Sequence, residues 1–225
     1  MIISRIKITI EVYLTNNWCT LGGVMKNKLI IILFVILIII LIISFAVKKI
    51  SDMLLFDLNK YENLKTEDIA SIQDEELVFA VMSWMWSKFN SDWSNQNQYN
   101  VISSLPKACQ NIYSVYTIEA EVNNGGFNQC YFNSSKEFTK MAESGFKEIG
   151  AVNFADIMIR ANLIYTNIKD DLEKFNDGTF ESFSKSYQNN PLNELDDEFI
   201  KMYEREPLDK LCIEYIRANA QYFGD

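Results

Sequence analysis

The spacing of apolar residues changes twice along this chain, and each change marks a different kind of segment. Residues 29–47 read LIIILFVILIIILIISFAV, without a charge and apolar on every side. That is the length of helix that crosses a bilayer core of roughly 30 Å. The run predicts a retained single-pass anchor beginning at Leu29 and ending at Val47. A secretory signal is the competing reading, because Ser44 and Ala46 offer a small-x-small cleavage site. The run nevertheless exceeds the usual signal core of about 7 to 15 residues.

Beyond the anchor the apolar period is helical. Residues 71–89, SIQDEELVFAVMSWMWSKF, carry a serine at a cap position, acids in the first turn and Lys88 near the end, as the helix dipole prefers. Val78, Val81, Met82, Trp84, Met85 and Trp86 cover more than one face, which predicts a central core helix. Trp84, Trp86 and Trp93 read as packing residues rather than an aromatic cage. Pro106 suits the first turn of a helix running to about Asn124. Ser134 and Glu137 form a capping-box pattern ahead of KEFTKMAESGFKEIG, which Gly150 is placed to end. Asn153 or a neighbour opens a helix with Phe154, Ile157, Met158, Ala161, Leu163 and Ile164 as its apolar positions. Two further helices are expected around 195–203 and 208–222, separated by Pro207. The stretch NDGTFESFSKSYQNNP is loop-like, with room for one short turn at Phe180 and Phe183.

No strand pattern competes with these periods, so the expected fold class is all-α: a compact multi-helix domain preceded by one transmembrane helix. The expected division is an upstream extension or disordered tail at 1–24, a basic flank and anchor at 25–50, a linker at 51–65 and an acidic helical domain at 66–225. LGGV before Met25 fits translation starting at Met25, which would place the basic MKNK directly ahead of the apolar run.

Charge separates the same two parts. Residues 1–50 hold six basic side chains and one acid, whereas residues 51–225 hold 15 basic and 29 acidic side chains, a formal −14. Such a field argues against direct binding of nucleic acid and favours basic partners, including proteins that themselves hold DNA; a merely soluble acidic surface is the plainer alternative. Lys26 and Lys28 before the span and Lys48 and Lys49 after it leave the side of the domain open. The chain has no histidine, which removes histidine triads, Cys-His dyads and His-ligated metals. Cys19, Cys109, Cys130 and Cys212 are far apart and form no CxxC pair, so no metal site or cofactor is expected. Free buried thiols, suited to a reducing compartment, are the expected state.

Residues 119–135, EAEVNNGGFNQCYFNSS, carry the most distinctive pattern. At 100° per residue Glu119 falls in the middle of an apolar stripe with Leu105, Ala108, Ile112, Val115, Tyr116 and Val122, whereas Glu121 points the opposite way and is expected to be solvated. A buried carboxylate needs donors or a proton. Asn123 and Asn124 can end the helix, Gly125 or Gly126 can take positive φ, and the freed N–H groups with the Asn128 and Gln129 amides can serve Glu119. Phe127, Tyr131 and Phe132 then anchor the restart. These residues are expected to form a structural corner or a ligand site. The rival readings are a carboxylate base at Glu119, for which no second catalytic group is evident, and an anion nest at the glycine pair. No residue is assigned a catalytic role.

This stretch, followed by a helix ending FKEIGA, resembles the core of the bacterial DNA-mimic protein (DMP) C-terminal domain family, most clearly over residues 101–151 and extending to LNELDDEFIKMYE near the tail. The resemblance implies an all-helical fold. The family's named member is a dimer whose acidic surface substitutes for DNA phosphates in binding a transcription factor, so a homodimer and a basic protein partner are implied here.

Carboxylates three or four residues apart on a helix form a row. Glu194, Asp197 and Glu198 have that spacing, with Asp196, Glu204 and Glu206 nearby; Asp170, Asp171 and Glu173 form a second group. They make a candidate acidic binding face, with an ordinary solvated surface as the alternative. The expected function is a membrane-anchored acidic binding protein that engages a basic, DNA-binding-type protein. The alternatives are an immunity-like protein masking a basic toxin and a carboxylate-dependent enzyme centred on Glu119; binding is favoured over catalysis.

Overall fold

The structure, a computed structural model, describes residues 32–49 and 60–225. The expected extension at 1–24, the Met25 start, Lys26, Lys28, Cys19 and most of the expected linker lie outside the described residues. What is described falls into two separate units, a lone helix and a helical domain.

The lone helix, α1 (Ile32–Lys49), has a mean hydropathy of 2.8 and no buried residues, so it is long and apolar enough to cross a membrane. The domain contains α2 (Asp74–Ser87), α3 (Asn95–Ser104), α4 (Lys107–Phe132), α5 (Thr139–Glu148), α6 (Val152–Glu173), α7 (Phe180–Lys185), α8 (Asn193–Met202) and α9 (Leu208–Ala218), with 3-10 turns at Thr66–Ala70, Ser134–Phe138 and Ala220–Tyr222. There is no strand among the described residues, so the fold is all-α.

Helix α4 is the axis of the domain. Its Ile112, Val115 and Ile118 are completely buried, and α5, α8, α3 and α9 all pack on it. Behind its second half Phe127, Phe146, Phe154 and Phe199 lie together, with Phe154 and Phe199 centroids 4.7 Å apart and crossed at 73°. Each such ring contributes roughly 1.5–3 kcal/mol on burial, so this cluster fixes how α4, α5, α6 and α8 meet.

Several boundaries differ from the sequence pattern for local reasons. Helix α2 begins at Asp74, after Gln73, and Ser71 does not cap it: its hydroxyl donates to the Asp68 carbonyl at 3.0 Å, closing the preceding 3-10 turn. Helix α3 is absent from the apolar pattern, since its NQNQYN opening is polar; Ser94 caps it by accepting from the Asn97 N–H, and Ile102 is its buried residue. Ser134 and Glu137 do not form a capping box; the chain makes a 3-10 turn there, and α5 follows from Thr139.

Residues 60–65, expected as linker, belong to the domain. Leu64 is only 3% exposed, its carbonyl accepts from the Asp225 N–H at 2.9 Å, and Thr66 Oγ1 donates to the Phe223 carbonyl at 2.9 Å. Gly224, at φ +89°, lets this tail segment lie against the Lys65 backbone, where a Cβ would stand 2.6 Å from a carbonyl carbon.

Candidate functional site: the glycine corner of helix α4

Helix α4 does not end at Asn124. It bends at Gly125 (φ −160°, ψ 24°) and Gly126 (φ 72°, ψ −179°) and runs on to Phe132. The second half therefore opens with its own unpaired N–H groups, as any helix start does. Asp196, on α8, supplies the acceptor: its Oδ1 takes the Phe127 N–H at 2.7 Å. A Cβ on Gly126 would collide with that same carboxylate, so both the positive φ and the close approach require glycine. The Gly125 carbonyl, freed by the bend, accepts from the Tyr187 hydroxyl at 2.8 Å.

Glu119 is tied differently from the sequence expectation. None of the corner's N–H groups and neither the Asn128 nor the Gln129 amide reaches it among the described residues; its Oε1 accepts from the Tyr203 hydroxyl at 2.7 Å, and the Asn123 amide donates to that same tyrosine oxygen at 2.9 Å. Burial raises its carboxyl above the ordinary range, the Tyr203 bond partly opposes this, and the charge of Asp209 adds to it. Burial, then the bond to Glu119, likewise pushes the Tyr203 hydroxyl up.

Glu121, expected to be a solvated acid, is the carboxylate that spans the bend. Its Oε2 accepts from the Gln129 amide at 3.1 Å and the Asn133 amide at 2.8 Å, and its Oε1 from the Ser135 hydroxyl at 2.6 Å. The bend at the glycine pair brings Gln129 and Asn133 within reach of Glu121, so of the donors expected for Glu119 the Gln129 amide serves Glu121 instead. Asn128 faces inward instead. It is fully buried, donating to Ser186 Oγ at 2.7 Å and accepting from the Asn190 amide at 2.8 Å.

On the inside of the bend an open groove of about 410 Å³ is lined by Trp86, Tyr116, Glu121, Asn124, Gln129 and Asn133 with the smaller Thr117 and Ala120. Glu119 does not line it. The aromatic wall is a Trp86–Tyr116 pair with centroids 6.0 Å apart at 68°. Trp84 is a core residue that donates to Asp225 at 3.3 Å, whereas Trp93 is largely exposed.

The candidate acidic face divides into interior and surface carboxylates. Asp196 is taken up by the corner, where burial raises its carboxyl despite the Phe127 N–H, and the neighbouring Asp197 charge raises it further. Glu206 is 9% exposed and caps α6 from 53 residues away, accepting from the Asn153 N–H at 3.1 Å, the Asn153 amide at 2.6 Å and the Phe154 N–H at 3.3 Å. Asp196 is half-buried and Glu206 buried, and each serves the N-terminus of a helix that has no local cap, where a carboxylate also meets the helix dipole. Glu198 is partly exposed and paired with Arg160 at 2.9 Å through Nη1. Asp171 pairs with Lys174 and Glu173 accepts from Asn176 at 3.1 Å. Asp170, Glu194, Asp197 and Glu204 remain exposed and without an ion-pair partner among the described residues.

Cys109, Cys130 and Cys212 are free and buried, and no group of side chains suited to a metal is present among the described residues. A family model described as DMP19-like protein matches residues 103–219, a span that holds the glycine corner, Asp196 and Glu206 but not Trp86. No curated protein and no solved structure gives a significant match.

Proposed function

The chain belongs to the DMP19-like protein family, and from that premise we propose that it is an acidic binding protein, anchored in a membrane by α1, that engages a basic protein of the DNA-binding kind. The observation that carries the proposal is that four acids of the candidate face stay exposed and without an ion-pair partner among the described residues: Glu194, Asp197 and Glu204 on and just after α8, and Asp170 near the end of α6. Within a domain of formal −14, unpaired carboxylates of this kind attract a basic groove and compete with phosphate for it. Lys201 and Arg205 punctuate the α8 group, so the face has a pattern that can select among basic surfaces. A homodimer is part of the reading; Ile159 and Leu163, one turn apart on α6, are 43% and 60% exposed and supply apolar surface for it.

The test is titration of the full chain, held in detergent micelles, against a panel of purified basic DNA-binding domains with and without competing duplex DNA. Binding that duplex DNA displaces, and that weakens steeply as salt rises, is expected for at least one domain. Glu194→Lys combined with Asp197→Lys should weaken it and flatten the salt dependence. Binding indifferent to both DNA and charge reversal would remove this face from the function.

A further inference from the structure

We infer that the groove inside the glycine corner is a receptor for an arginine side chain of the protein partner. The inference rests on the preceding reading for the partner's identity, but its chemistry is independent of the α8 face. A carboxylate only accepts hydrogen bonds, so Glu121 fixes the orientation of the amides around it: the nitrogens of Gln129 and Asn133 turn towards its Oε2 at 3.1 and 2.8 Å. Each amide gives one N–H to Glu121, no donor reaches the carbonyl oxygen of Gln129 or Asn133 among the described residues, and the Asn124 side chain beside them makes no hydrogen bond there either. The groove thus holds the Glu121 carboxylate with side-chain amides around it, and no lysine or arginine lines it.

The opposite wall is aromatic. Trp86 and Tyr116 are only partly buried against the core and hold an edge-to-face pair. A guanidinium has five N–H donors in a plane, no acceptor, and a face that stacks on aromatic rings, whereas an ammonium is a compact point charge that satisfies fewer acceptors at once. At about 410 Å³ the groove has room for a guanidinium, and its open mouth admits a side chain still attached to a protein surface. The glycine corner is what makes it: without the bend Gln129 and Asn133 would not face back over Glu121. Gly125 keeps Gln129 in place, since a Cβ there would collide with the Gln129 Oε1.

The probe is N-acetyl-arginine-amide, titrated into the full chain labelled with 5-fluorotryptophan in micelles and followed by fluorine NMR, with the Trp86 resonance assigned from Trp86→Phe. A saturable shift of that resonance is expected, with N-acetyl-lysine-amide at least severalfold weaker. Glu121→Gln and, separately, Gly125→Ala should each weaken the arginine probe about tenfold with the helical circular dichroism retained. Equal response to the two probes, or arginine binding unmoved by both variants in a folded protein, would overturn the inference. Saturable probe binding in a protein that captures no DNA-displaceable partner would keep the groove and remove the DNA-mimic reading; the opposite pattern would remove the groove alone.

Discussion

Asp196 holds the Phe127 N–H at 2.7 Å across 69 residues of chain, so the restart of helix α4 is capped by α8 and by nothing local. Gly126→Ala should therefore be expensive. It forces an alanine into φ +72° and drives its Cβ against the Asp196 carboxylate, a loss of about 2 kcal/mol or more in a urea titration. Gly125→Ala, at an extended φ of −160° where only the Gln129 side chain must move, should lose much less. Equal losses at the two glycines would refute this account of the corner.

Glu206 does for α6 what Asp196 does for the second half of α4. Removing it in Glu206→Ala leaves the Asn153 and Phe154 N–H groups without that acceptor at a half-buried helix start, and about 1–2 kcal/mol of stability should go with it. Glu206→Gln keeps an acceptor oxygen and loses the favourable charge at the helix N-terminus, so its loss should be smaller. The ordering of the two urea midpoints is the check.

Helix periods carry most of the fold: the long helices are legible from apolar spacing, and Gly126 and Gly150 both hold the positive φ their positions suggest. Helix α3 is not legible, because a short helix with one completely buried residue leaves almost no periodic signal. The corner is legible as a corner, since two glycines before a run of aromatics have few other uses. Its wiring is not. Angles around a straight helix put Glu119 inside and Glu121 outside, but the bend brings Gln129 and Asn133 back to Glu121, and a single-helix projection cannot contain that turn. Asp196 and Glu206 look like surface charge in the sequence for a related reason: capping across more than 50 residues has no local pattern.

The pH dependence of stability should carry the mark of Glu119. Its carboxyl is raised from an ordinary value near 4.5, chiefly by burial. The folded state then holds the proton more tightly than the unfolded state, so stability falls as pH rises from about 4.5 through the raised value and is level above it. Asp196, also raised, acts in the same direction from a lower starting point. A glutamine side chain in place of Glu119 would still accept from the Tyr203 hydroxyl, so Glu119→Gln should flatten this fall and leave the protein at least as stable at neutral pH. Urea midpoints between pH 4 and 8 for the two proteins decide it; an unchanged profile would show that Glu119 is not the titrating group.

The three described thiols bear on where the domain works. Burial pushes Cys109 up to about 12 and raises Cys130 and Cys212 as well, so little thiolate exists at neutral pH and reagents must await opening of the fold. Peptide mapping after brief alkylation should find all three unmodified in the native protein and modified in urea. Free thiols suit a reducing compartment, and the DNA-binding partner proposed above would be met only on that side of a cytoplasmic membrane. Protease added to intact cells stripped of their wall should therefore spare the domain, and lysis should expose it. Cleavage before lysis would place Glu194 and Asp197 outside the cell, where no chromosomal protein could reach them, and would redirect the search to basic proteins arriving from the environment.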